Sequence, residues 1–148
     1  MTEIPELVAG AVDLDAALNA TVAHFGADSG TIHLIADDGA LYLRAATVGI
    51  PQFVLDTVRV VPVGKGMAGL AAERAQPVTA CNIQTDTSGD VRPGAKLTGL
   101  EGAIVVPMIV DGKVRGSLGI ANRRERTFTD AEQRGLLAIG THLAARFA

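Results

Sequence analysis

Ala103-Ile-Val-Val-Pro-Met-Ile-Val110, Asp111-Gly112, Lys113-Val-Arg-Gly-Ser-Leu-Gly-Ile-Ala121 reads as a β-hairpin. Asp-Gly between two apolar runs is the strongest short-range hairpin signal, because a two-residue turn needs positive φ at both central positions. With a two-residue turn the register follows. One face then holds Ala103, Val105, Pro107, Ile109, Val114, Gly116, Leu118 and Ile120. The other holds Ile104, Val106, Met108, Arg115, Ser117, Gly119 and Ala121. The first face is apolar and the second is mixed.

Upstream, Thr31–Ala36 and Leu41–Ala46 flank a second Asp38-Gly39 and read as another hairpin. A two-residue turn there sets Leu34 against Leu43, Ala36 against Leu41 and Ile32 against Ala45, an aliphatic face. The opposite face carries Thr31, His33, Ile35, Tyr42, Arg44 and Ala46. Before this hairpin, Leu14, Leu18, Val22 and Phe25 recur at helical spacing behind Asp13, a residue suited to an N-cap, and Gly26 closes the helix. After the other hairpin, Phe128 precedes Thr129-Asp-Ala-Glu132, a capping box that opens a final helix to about Phe147. Shorter pieces lie between the hairpins: a helix over Pro51–Val58, a strand over Arg59–Val63, a helix over Met67–Ala75 stopped by Pro77, and an extended Val78–Ile83. The expected class is α+β with a mainly antiparallel sheet, a single domain over residues 1–148 with its core at about 13–147.

Residues 84–101 are rich in Thr, Asp, Ser, Gly and Pro. A loop of that length in a small domain is usually functional or disordered, and here it is expected to form a lid. Small residues on a sheet face beneath such a loop leave room for a ligand, and His33, Arg44 and Arg115 would bias that room toward an anion. The alternative is that these polar side chains simply face water, as one side of an antiparallel sheet often does.

Composition narrows the function. The chain has 148 residues, 48% hydrophobic, with a net charge of −3 and one cysteine. Nothing near 18 consecutive apolar residues occurs, so no membrane partner is expected. The acidic balance and the five aromatic residues argue against nucleic acid. One cysteine makes neither an internal disulfide nor a structural zinc site, and a reducing, cytoplasmic setting fits it best. Three dispersed histidines give no metal-ligand spacing. Gly64-Lys65-Gly66-Met67-Ala68-Gly69 has the form of a dinucleotide fingerprint. It follows a hairpin, though, and opens no βαβ unit, so a tight strand-to-helix turn is the better reading.

Together these stretches resemble a GAF domain: Val63-Gly-Lys-Gly-Met-Ala-Gly-Leu-Ala71, Gln76-Pro-Val78, Asn82-Ile83, Asp86, Val105-Val-Pro-Met108 with Asp111-Gly112, Gly116-Ser-Leu-Gly-Ile120 and Phe128-Thr-Asp-Ala-Glu132. The resemblance implies a PAS-like sheet of five or six strands, terminal helices on one face, and a pocket with a lid loop on the other. It implies a small-molecule sensor for signal transduction, with a homodimer through the terminal helices or a signalling partner protein. No cofactor is implied, since the haem, bilin and metal signatures of such domains are missing. Free methionine-(R)-sulfoxide reductases of this family place cysteines in the Gly-rich turn and the lid. This chain has Met67-Ala68 in the turn and no lid cysteine, and its one cysteine is Cys81. A reductase-like enzyme and a structural dimerisation module stay as the alternatives. The expected ligand-binding residues are His33, Tyr42, Arg44, Val106, Met108, Ser117 and Leu97, with Met67 and Leu70 on the helix side.

Overall fold

The computed structural model describes residues 3–91 and 98–148. Among these, short α1 (Glu6–Ala9) is followed by α2 (Leu14–His24), β1 (Ser29–Ile35), β2 (Leu41–Ala46), α3 (Gln52–Thr57), β3 (Val60–Val61), α4 (Gly66–Arg74) and β4 (Val78–Ala80). The hairpin β5 (Ala103–Val110) and β6 (Lys113–Ala121) and the terminal helix α5 (Asp130–Phe147) complete the fold. The six strands form one antiparallel sheet in the order β3-β2-β1-β6-β5-β4, so both hairpins meet along β1 and β6 at its centre.

The expected helix caps form. Asp13 accepts from the Ala16 N–H at 2.8 Å. Thr129 and Glu132 make a reciprocal capping box at the start of α5. One face of α2 (Leu14, Ala17, Leu18, Val22) and one of α5 (Leu136, Ile139, Leu143) pack on Ile32, Leu34, Ala45, Ile104, Val106, Met108, Leu118 and Ile120. Burying a side chain of leucine size stabilises the fold by about 1.5–3 kcal/mol, so this layer dominates its cohesion. The single turn α1 was not expected from the sequence pattern. It brings fully buried Val8 into the same core, and Arg146 holds it by donating to the Ala9 and Ala11 carbonyls at 3.0 and 2.9 Å.

Two sheet faces differ from expectation, each by one inserted residue. The β5–β6 turn is the expected two-residue one, with Asp111 and Gly112 both at positive φ, and Ile109 pairs with Val114. The register then shifts so that Met108 pairs with Gly116, leaving Arg115 as a bulge. From that point Ile104, Val106 and Met108 turn to the helix core beside Leu118 and Ile120, and Val105 turns to the opposite face. In the first hairpin the Ala36–Ala40 pair closes a three-residue loop, with Gly39 at φ +83°. That loop sets Leu34 against Tyr42 and His33 against Leu43, and a second bulge at Arg44 restores the Ile32–Ala45 pair. Leu41 consequently packs on Val61 and Ala72, away from α2 and α5.

Candidate functional site

The face of the sheet opposite α2 and α5 is covered by α3, α4 and the segment after β4, which leave a cavity of about 370 Å³. Its floor is made of small residues from the central strands: Gly30, Thr31, Gly119, Ala121 and Ala103. Its roof includes Ile50, Val54, Met67 and Leu100, so the lining is predominantly apolar. The volume falls within the range of about 300–1,000 Å³ typical of small-molecule sites. Of these floor residues, Thr31, Gly119 and Ala121 lie on the face expected to be mixed, whereas Ala103 of β5 was expected on the apolar face and reaches the cavity through the Arg115 bulge.

The glycine run that opens α4 shapes one wall. Gly64 and Gly66 take positive φ of +95° and +63°, which turns the chain from β3 into the helix. Gly69 packs so closely on the Pro62 carbonyl that a Cβ would stand 2.5 Å from its oxygen. The run is therefore a backbone device for bringing α4 down beside the cavity. Lys65, the N-cap residue of α4, gives it no side-chain cap.

His33 is the buried polar residue of the floor, 3% exposed on β1. Its Nε2 lies 2.8 Å from the Val58 carbonyl oxygen and donates to it, which places the proton there and leaves Nδ1 as a bare lone pair. Among the described residues Nδ1 has no partner, and neither does the buried hydroxyl of Ser117, directly across the β1–β6 ladder. Burial lowers the pKa of His33 below its ordinary value, against a smaller opposing effect of the Val58 bond. The imidazole is thus a neutral tether between the central strand and the end of α3.

Of the side chains expected from sequence, His33 and Met67 border the cavity. Val106 and Met108 do not, because the Arg115 bulge turns them into the helix core. Arg44 and Arg115 stand exposed at the two bulges, so neither charges the cavity. Tyr42 lies off the cavity and donates its hydroxyl to Asp38 at 2.5 Å, an interaction that raises the tyrosine pKa and lowers that of the carboxylate. Ser117 is buried beside His33 without reaching the cavity, and Leu70 is half-buried away from it. Leu97 lies outside the described residues, as do residues 92–96 of the expected lid.

The sequence reading missed Val105, Ile50, Val54, Lys65 and Arg123, all of which border the cavity. The glycine run pointed to Lys65, and a one-residue register shift would have pointed to Val105. The described ends of segment 84–101 are clamped at their base. Asn82 donates to Glu101 and Glu125 at 3.3 and 2.9 Å and accepts from the Gln84 N–H at 2.9 Å. Arg74 of α4 grips Asp90 with two hydrogen bonds of 3.0 and 3.2 Å. Arg126 donates to Asn122 and Glu132 and covers the Phe128 ring. Cys81 is exposed and does not border the cavity. Among the described residues no group of three or more His, Cys, Asp or Glu could hold a metal ion. No described helix is long and apolar enough to cross a membrane.

The family profile described as GAF domain matches residues 14–147. Among solved structures, the GAF domain of a phosphoenolpyruvate-protein phosphotransferase from Acinetobacter superposes with a TM-score of 0.75 at 21% identity, covering 93% of this chain and 84% of that one. A domain from Sinorhizobium meliloti 1021, described as part of a two-component sensor histidine kinase protein, gives 0.71 at 19% identity, covering 92% and 90%. Free methionine-R-sulfoxide reductase from Neisseria meningitidis, solved with its substrate, gives 0.71 at 23% identity, covering 95% and 81%. No curated protein matches the chain.

Proposed function

The chain belongs to the GAF domain family, and from that premise we propose that it is a non-catalytic sensor of a small cytoplasmic molecule. The fold alone does not choose between sensor and enzyme, because its structural neighbours include both kinds. The chemistry of the cavity supports the sensor. Among the described residues its lining is predominantly apolar, its one buried titratable group is a neutral imidazole already bonded to a carbonyl, and Cys81 lies elsewhere. Reduction of a sulfoxide by a thiol leaves an oxidised sulfur that a second thiol must resolve. The chain has one cysteine, so the resolving thiol would have to come from outside.

Binding in the cavity would bias the segments that cover it, and the sheet would pass the change to α2 and α5 on its other face. The physical requirement is a ligand affinity that differs between two states of those covering segments. A partner protein or a second copy of the chain would read the change at the terminal helices. The experiment is a dithiothreitol-dependent assay on free methionine-(R)-sulfoxide. The sensor predicts no turnover above the protein-free rate. Turnover that disappears in Cys81→Ser would replace the sensor with a reductase.

A further inference from the structure

The cavity has a chemical polarity that narrows what it takes. Among the described residues its interior offers no charge, since the one buried titratable group bordering it is His33, whose Nε2 donates to the Val58 carbonyl and whose ring is neutral. An ion drawn fully inside would lose its hydration with nothing to replace it. Charge can therefore be met only at the rim. There the bordering side chains include Lys65, Arg123 and Asp28. Neither cation makes an ion pair among the described residues, whereas Arg59, Arg74 and Arg126 each have a carboxylate partner. The Asp28 carboxylate accepts the Arg123 backbone N–H at 2.7 Å through one oxygen and stands as one anion beside the two cations. Gly66, Met67 and Ala68, the first turn of α4, border the same cavity, and the helix has no side-chain cap. The free N–H groups of an uncapped first turn favour an anion. Val48 and Phe53 also border the cavity while 98% and 53% exposed, apolar side chains left without cover.

We propose that the cavity takes an apolar monocarboxylate, a medium-chain or phenylalkyl acid, with its hydrocarbon over the glycine–alanine floor and its carboxylate at the rim formed by Lys65, Arg123 and the first turn of α4. This rests on the sensor reading and adds the ligand class to it. It excludes free amino acids, whose ammonium group would meet no anionic partner inside, and polyanionic nucleotides, whose charge exceeds what Lys65 and Arg123 meet.

Isothermal titration calorimetry with octanoate, octanamide and octylamine tests it, because the three share one chain and differ in the head. Octanoate binds, octanamide binds about fivefold more weakly, as two exposed charge contacts allow, and octylamine gives no heat. In the double variant Lys65→Ala/Arg123→Ala, checked for folding by circular dichroism, the octanoate-to-octanamide affinity ratio falls toward one, with only the first turn of α4 left to favour the anion. Equal affinities of the wild type for octanoate and octanamide would overturn the carboxylate assignment and leave the cavity reading standing. So would an unchanged ratio in the double variant. Absence of binding by all three would remove the apolar cavity as a ligand site, and the proposal with it.

Discussion

His33 shows how one buried side chain couples the sheet to the cavity wall. Its ring is kept neutral mainly by desolvation, so its pKa in the fold lies below the ordinary 6.5 that it regains on unfolding. As pH falls through 6.5 the unfolded chain takes up a proton that the folded chain does not, and stability drops until the lower folded pKa is passed. Above 6.5 the contribution is fully present. His33→Gln keeps an amide donor for the Val58 carbonyl and removes the titration. Its melting temperature is therefore expected to fall less than that of the wild type between pH 7.5 and 5.5, as followed by circular dichroism. Parallel curves for the two proteins would refute a titrating role for His33. The depressed carboxyl pKa of Glu132 acts in a lower window. It is held down first by the Thr129 N–H and then by Arg126, and its contribution is lost only as pH falls below about the ordinary carboxylate value.

At the scale of elements, what sequence reveals depends on whether a strand has one polar face. β1 and β6 are legible: Ile32 and Leu34 against His33, and Leu118 and Ile120 against Ser117, separate core from cavity side by plain alternation. β5 is apolar on both faces, so its orientation hangs on the turn register alone, and the single residue Arg115 inverts it. That inversion exchanges Val106 and Met108 for Val105 at the cavity. β2 is altered similarly, by the extra residue in the Asp37–Gly39 loop. Capping signals depend on local chemistry, which is why Asp13 and the Thr129 box stand where the sequence puts them. Leu7 of α1 and Val12 between α1 and α2 are 79% and 84% exposed, and Phe147 near the end of α5 is half-buried. A homodimer through the terminal helices would cover such side chains. Light scattering at high protein concentration is expected to give about twice the monomer mass of 15.2 kDa, and the monomer mass alone would count against that pairing.

At the scale of the whole molecule, the sheet separates two layers with different duties. The α2/α5 side is filled by large aliphatic side chains, among them Leu18, Leu118, Ile139 and Leu143, each at most 1% exposed. The α3/α4 side has small residues on the sheet and leaves about 370 Å³ open. A fold selected for cohesion alone would fill that space, since unfilled volume forfeits packing energy. Of the small floor residues, Thr31, Gly119 and Ala121 were legible on the expected mixed face, and Ala103 was not. The chemistry of the space was not legible either, because Lys65 and Arg123 reach it through tertiary folding from a turn and a connection. The central claim is that the open layer is a binding site. Native mass spectrometry after exposure to a library of apolar small molecules tests it most directly, comparing the wild type with Thr31→Phe, which places a large ring on the cavity floor. A one-to-one adduct is expected in the wild type and is lost in the folded variant. An adduct that persists in Thr31→Phe, or no adduct across the library, would contradict the central claim.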